Sequence, residues 1–354
     1  MNTTPFLLLA TLLTTPLLAQ GETVLPVSLD KFWGQGSSSV LGQDSSRTQL
    51  ISAMPVAPGT TITGLGLRPT ASTSDRASFT ADIEIRLSSG PNAPGSLDAT
   101  FANNIGNDEV VVLPQQTITV PAMPANRSTG FYVDIPFTTP FVFGTNGNTN
   151  LVVEVLVFSR SAGASWSTDR VFAGASGRAG TAGIGCGSAT IGSSSTNASG
   201  STYVAGETVD VTISGGTPNS AALLVPSLDM KELVPGLLLP FDLSMVGAGP
   251  GCDLLVAGEI GAVTYLTDAL GDAAMSLPLT SAFTGQSIGF QWVYLVPPSS
   301  TNPLGLATTP SRVVTIGPRI AVPEVQYVWN LFDVNATSGT ATTDSCPVHK
   351  LFTL

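Results

Sequence analysis

The chain has 354 residues, of which only 10 % are charged and 43 % hydrophobic, and Gly, Ser, Thr and Pro abound. Disordered chains are charge-rich and poor in branched apolar residues, and surface helices carry Glu and Lys pairs at spacing four; this composition excludes the first and disfavours the second. The net charge is −11, from 24 acidic and 13 basic residues, and the basic ones are scattered singly, which argues against nucleic acid and anionic membranes as partners.

Residues 1–20 read as a signal peptide. Phe6 to Leu13 is an apolar run of about 8 residues, inside the 7 to 15 of an h-region and short of the ~20 that span a bilayer, although no Lys or Arg precedes it. The expectation is a secreted or cell-surface protein with no membrane insertion of the mature chain. Outside the cell an acidic surface serves solubility, and it also suits calcium, which prefers carboxylate, amide and backbone oxygens.

Residues 21–176 read as a first β-sandwich. Asp82, Glu84 and Arg86 alternate with Ile83, Ile85 and Leu87, which puts the three apolar residues on a core face. Leu151 to Phe158 is apolar except at Glu154, as expected of a central strand covered on both sides or of a hydrophobic face that a neighbour conceals. Turn clusters such as Ser89-Gly90-Pro91-Asn92 and Thr145-Asn146-Gly147-Asn148 separate the strands. Strands at this spacing without a helical period predict an all-β fold of two tandem antiparallel, jelly-roll-like sandwiches.

Residues 174–200 are almost wholly Gly, Ala, Ser and Thr and mark the boundary. Residues 177–318 then form the second sandwich. Val209, Val211 and Ile213 alternate with polar residues, and Ala221 to Val225 and Leu237 to Leu243 read as apolar strands. Ile288, Phe290, Trp292 and Tyr294 alternate with Gly289, Gln291 and Val293, giving an aromatic face that is either a sandwich core or a stacking platform for sugars. Residues 319–354 form a tail with two strand-like runs, expected to dock as an edge strand on a sandwich.

Three cysteines lie beyond the leader. Cys186 in Gly-Ile-Gly-Cys-Gly and Cys252 in Gly-Pro-Gly-Cys-Asp sit in matching glycine-rich settings where backbones approach closely, so these two are paired. That bridge should be worth roughly 4 kcal/mol in the loop-entropy view. Cys346 is left as a free or intermolecular thiol.

Chemistry is sparse. The one histidine, His349, lies three residues from Cys346, but both fall on one short segment with no recognisable oxyanion element, and zinc would lack its usual ligands. No Gly-x-Ser-x-Gly elbow occurs. Asp108, Glu109, Glu154, Asp268 and Asp272 are candidate acids for glycoside hydrolysis if two of them face each other. The calcium candidates are Asp108 and Glu109 in loop 104–109, loop 146–150, and Asp268 and Asp272 in loop 268–272; ordinary turn chemistry explains these residues equally well. Asn126, Asn197 and Asn335 fit the glycosylation sequon.

The second sandwich resembles a module of uncharacterised secreted proteins from environmental bacteria. The likeness rests on Gly183-Ile184-Gly185-Cys186, on Leu237-Leu238-Leu239-Pro240-Phe241-Asp242-Leu243, on Pro250-Gly251-Cys252-Asp253-Leu254 and on the closing Val314-Thr315-Ile316-Gly317. The first resembles the unit that often precedes it, through residues 46–51, 61–68 and 150–155. The resemblance implies tandem sandwiches and the Cys186 to Cys252 bridge and carries over no catalytic residue. The function expected is a secreted, non-catalytic envelope, matrix or adhesion-type β protein whose partners are extracellular glycans or envelope proteins. The alternative is a carbohydrate-binding module or carbohydrate-active enzyme, with Trp33, Trp166, Trp292 and Trp329 as sugar platforms. No cofactor is expected beyond calcium.

Overall fold

The computed structural model describes residues 21–354 without 35, 71–73, 126–129, 131, 162–165, 173–176, 197–201, 318–323 and 343–344. The expected leader and the sequons at Asn126 and Asn197 lie outside the described residues. Strands carry the fold, and the helical segments among the described residues are four short 3₁₀ turns.

The first nine strands are β1 (Gly21–Leu25), β2 (Gly36–Ser38), β3 (Ser46–Ala53), β4 (Thr61–Leu67), β5 (Phe79–Gly90), β6 (Val110–Val120), β7 (Val133–Val142), β8 (Asn150–Arg160) and β9 (Thr168–Phe172). The next group opens with β10 (Arg178–Ala182), β11 (Thr190–Ser195), β12 (Thr208–Ser214) and β13 (Ala221–Ser227). Four short strands follow, β14 (Glu232–Val234), β15 (Leu237–Leu238), β16 (Phe241–Asp242) and β17 (Asp253–Leu254). The group closes with β18 (Val263–Leu266), β19 (Ala273–Pro278), β20 (Ser287–Leu295) and β21 (Leu306–Thr315). The tail supplies β22 (Val325–Asn330), β23 (Thr340–Ala341), β24 (Ser345–Pro347) and β25 (His349–Thr353).

In the first unit a six-stranded sheet runs β23-β22-β3-β8-β5-β6, with a four-stranded sheet β1-β25-β4-β7 and a three-stranded sheet β2-β9-β24. The second has a five-stranded sheet β10-β21-β20-β13-β18 and a three-stranded sheet β11-β12-β19. The pairings between neighbouring strands, including β1 with β25, β3 with β22 and β20 with β21, are antiparallel.

Period-two residues behave as their chemistry dictates. Ile83, Ile85 and Leu87 of β5 are fully buried while Thr80, Asp82 and Glu84 face outward. β8 lies between β3 and β5 and is buried on both faces, because Phe101, Leu97 and Ala336 cover its outer side at Val152. The aromatic face of β20 is core: Phe290, Trp292 and Tyr294 pack with Val209, Val211 and Leu224.

Two expectations change. The run 237–243 is not one strand but two two-residue strands, β15 and β16, on either side of Leu239-Pro240. Leu237 and Leu238 are exposed and end at Leu239-Pro240, so only Leu239 of the three leucines is buried; proline cannot donate to a ladder. Nor does the tail dock only at edges, although β23 and β24 are edge strands. β25 lies inside its sheet between β1 and β4, and β22 sits between β3 and β23, so the tail completes the first unit and the chain of that unit is split around the second.

The units share a packed junction. Val225, Met230, Val256 and Val313 of the second join the core that holds Trp33 and Leu25 of the first. Reciprocal ion pairs flank Met230: Lys31 to Asp229 at 2.7 Å and Lys231 to Asp30 at 2.8 Å.

Cys186 and Cys252 are bonded, with Cα atoms 4.7 Å apart. The glycine beside Cys186 has a steric reason, since a Cβ on Gly185 would lie 2.0 Å from the Thr308 carbonyl oxygen. The bridge closes 66 residues, so reduction is expected to lower stability by about 4 kcal/mol in the loop-entropy view. Urea unfolding with and without reductant measures this, and coincident curves would reject it. Cys346 is a buried free thiol whose pKa burial pushes well up, so it does not present sulfur to another chain.

Candidate functional site

Among the four indoles, Trp33, Trp166 and Trp292 are buried and offer no face to a sugar. Trp166 packs on Phe79 and Trp292 meets Tyr265 edge-on at 5.4 Å. Trp329 alone of the four is partly exposed.

The calcium candidates do the work of turns. Asp268 accepts the amides of Leu270 and Asp272, which hold its carboxyl below the usual range, and Asp272 accepts the Gly215 amide. Asp108 accepts the Ser89 amide at 2.8 Å. Loops 104–109 and 146–150 do come together, through Asn146 and Asn107 and through Asn146 and Asn148 on the Ser89 carbonyl. Among the described residues no group of three or more His, Cys, Asp or Glu is placed to hold a metal ion.

The buried acids are held in structural networks. Asp169 is sealed with Arg68, the guanidinium 2.9 Å away and both side chains 0 % exposed. Arg68 also donates to the Leu29 and Phe32 carbonyls, and Asp169 accepts the Gly34 and Arg170 amides. Burial pushes the Asp169 carboxyl up, and the Arg68 charge opposes it. On the outer face of the six-stranded sheet Glu154 takes Arg47 and Gln49 on one oxygen. Partial burial raises Glu109, and Arg86 counters it.

His349 is fully buried. Its Nδ1 lies 3.0 Å from the Pro347 carbonyl, which can only accept, so Nδ1 carries the proton and Nε2 faces Ser52 Oγ at 3.4 Å. Cys346 Sγ instead points to the Gln326 carbonyl, so the two do not form a dyad. Burial lowers the His349 pKa from 6.5 to about 4. The unfolded chain therefore binds a proton that the native state refuses; stability is full above pH 6.5 and falls by about 3 kcal/mol as pH drops to 4. The unfolding free energies from urea titration at pH 7.5 and 4.5 should differ by about 2.5 kcal/mol less in His349→Gln. An unchanged difference would reject the assignment.

One polar cleft stands out beside Trp329. It lies where the six-stranded sheet meets β2 and β9, and Ser37, Ser38, Thr48, Arg170, Tyr327 and Trp329 line a cavity of about 120 Å³. Cross-strand register builds it: Trp329 sits opposite Thr48 on β22 and β3, and Arg170 opposite Gly36 on β9 and β2. Because side chains alternate, Asp169 turns to Arg68 while Arg170 turns to the cleft and donates to Tyr327 Oη at 3.2 Å. Ser38 Oγ and Thr48 Oγ1 are buried and have no hydrogen-bond partner among the described residues. A second, wider cleft of about 420 Å³ adjoins at Trp329 and Leu331, with Phe332 83 % exposed on its wall.

No family model matches the chain. No curated protein matches it either. Among the described residues no carboxylate, imidazole or thiol lines either cleft beside Trp329. Acids do line a third groove of about 370 Å³, but Asp229 there is tied to Lys31 and to the Lys231 and Glu232 amides, and Glu259 to Ser227 and the Leu228 amide. Against the opposing effect of burial, the Lys31 bond and those amides hold Asp229 below the usual carboxylate range, the reverse of what a general acid needs.

Sequence reasoning named Trp329 and missed Ser38, Thr48, Arg170 and Tyr327. Those four come from three distant segments that only long-range pairing unites. Its other omission, the Arg68 and Asp169 pair, spans 101 residues and leaves no local pattern.

Proposed function

We propose that this protein is an exported, non-catalytic β scaffold of the cell exterior, an envelope, matrix or adhesion component that works by presenting surface. The observation that carries the reading is the make-up of the clefts beside Trp329. They offer hydroxyl, guanidinium and indole groups, which recognise a ligand, and among the described residues they carry no carboxylate, imidazole or thiol to transform one. The disulfide is compatible with an oxidising compartment, and no helix among the described residues is long and apolar enough to cross a membrane.

Fractionating the producing cells tests this reading. The chain is expected outside the cytosol, starting near Gly21, and retained on isolated envelope or matrix material without altering it. Turnover of chromogenic glycosides or esters, or recovery in the cytosol, would overturn it. Carbohydrate binding is a second reading, favoured by the part-exposed Trp329 at the polar cleft.

A further inference from the structure

We propose that the Trp329 cleft binds a hexopyranose edge-on, with two ring hydroxyls on Ser38 and Thr48, a C–H face on the Trp329 indole, and the next unit of an oligosaccharide along the wider cleft. The inference rests on the carbohydrate reading above and adds the ring class, its contacts and the direction in which the sugar chain continues.

The floor of the cleft supports it first. Thr48 and Ser38 are 1 % and 7 % exposed, and their hydroxyl oxygens meet no donor or acceptor among the described residues. Buried hydroxyls ordinarily have partners, so two unmet ones lining one cavity, on strands from different sheets, mark a place for incoming polar groups. A hydroxyl both donates and accepts, which lets a sugar hydroxyl meet either of them.

The walls and the size narrow the class. Val40, Leu331 and the Trp329 indole line the same cavity as the two hydroxyls, and Trp329 lies directly opposite Thr48 on one face of the sheet. Water alone would satisfy the hydroxyls and leave that apolar wall against it; a pyranose carries hydroxyls around its edge and C–H groups on its faces, and so meets both. A cavity of about 120 Å³ approaches the ~150 Å³ of an engineered cavity that admits benzene, so it takes the edge of one six-membered ring. Arg170 donates to Tyr327 Oη at 3.2 Å and has a further interaction besides, so it is a wall already in use and its charge does not choose the ligand. Beyond the indole the way is open. Trp329 and Leu331 also line the adjoining cleft of about 420 Å³, where Asn330, Ser338, Thr340 and the exposed Phe332 offer polar groups and a second ring to the next sugar unit.

Calorimetry and tryptophan fluorescence on the mature chain test the proposal with four probes: glucose, cellobiose, maltose and 4-methylphenol, an aromatic ring with a single hydroxyl. Wild type is expected to bind the sugars saturably, and the better-fitting disaccharide at least about tenfold tighter than glucose. Phe332→Ser should cut that advantage several-fold. Thr48→Val and Ser38→Ala should each weaken all the sugars several-fold while leaving thermal stability equal or higher, because the hydroxyl removed has no partner to lose. The two variants lie on different sheets, so either carries the test where the other fails to fold. Sugar binding unchanged in both would overturn the placement on Ser38 and Thr48 and leave the carbohydrate reading standing. Disaccharides no tighter than glucose would overturn the second unit. Binding of 4-methylphenol as tight as that of glucose would overturn the pyranose and leave a pocket for an aromatic side chain. No saturable binding of any sugar at millimolar concentration would overturn both readings.

Discussion

Ending the chain at Gly317 is expected to abolish folding of residues 21–172, although every residue of those nine strands remains. The deletion removes β25 from between β1 and β4, and β22 from beside β3. Val325, Tyr327, Val328, Cys346, Val348 and Leu351 go with them, all of them buried. At about 1.5–3 kcal/mol for each large apolar side chain, as an upper estimate, the loss is on the order of 10 kcal/mol, comparable with the whole stability of a domain. It also bares the ladders of β1, β3, β4 and β9, and unpaired edges invite aggregation. The predicted outcome is insoluble or protease-sensitive material. A soluble fragment unfolding cooperatively at the wild-type midpoint would refute the assignment of the tail to the interior of the first unit.

The second large effect is expected at Arg68. Arg68→Met leaves Asp169 buried opposite no cation and should cost about 3–5 kcal/mol. The pair also organises backbone, since Arg68 holds the Leu29 and Phe32 carbonyls and Asp169 the Gly34 amide. A Cβ on Gly34 would stand 2.5 Å from the Arg170 carbonyl oxygen, so this approach is close and leaves little slack. The double variant Arg68→Met with Asp169→Leu should recover part of the loss, because the stranded charge is gone while the carbonyl and amide partners stay unmet. Urea unfolding of the two single variants and the double completes the cycle. Additive losses would mean that the pair is not coupled.

What could be read from the sequence follows from how local each signal is. The alternation at Ile83, Ile85 and Leu87 and at Phe290, Trp292 and Tyr294 is a two-residue period, written in adjacent positions; it put the first set in the core, but it left the aromatic face open between core and sugar platform, and burial made it core. Glu154 within its apolar run marked a strand covered twice, and the acid proved to be held by Arg47 and Gln49. The glycines around Cys186 and Cys252 signalled close backbones and the bridge. Register between distant strands has no such trace. Nothing near Thr48 announces that Trp329 lies across from it, and nothing near His349 announces Leu67 and Leu25 on its two sides. The run 237–243 misled because Leu237 and Leu238 stay exposed and Pro240 interrupts the ladder, which an apolar count cannot show.

The split of the first unit around the second sets the timing of its completion. Strands finished by residue 172 wait for a partner that ends at residue 353. Ribosomes add about 5–20 residues per second, so the delay over that stretch is on the order of 10–40 s. Through that interval the half-built layers are sticky and open-sided, a state that a holding chaperone or an export channel can grip, and the last strand works as the clasp that ends it.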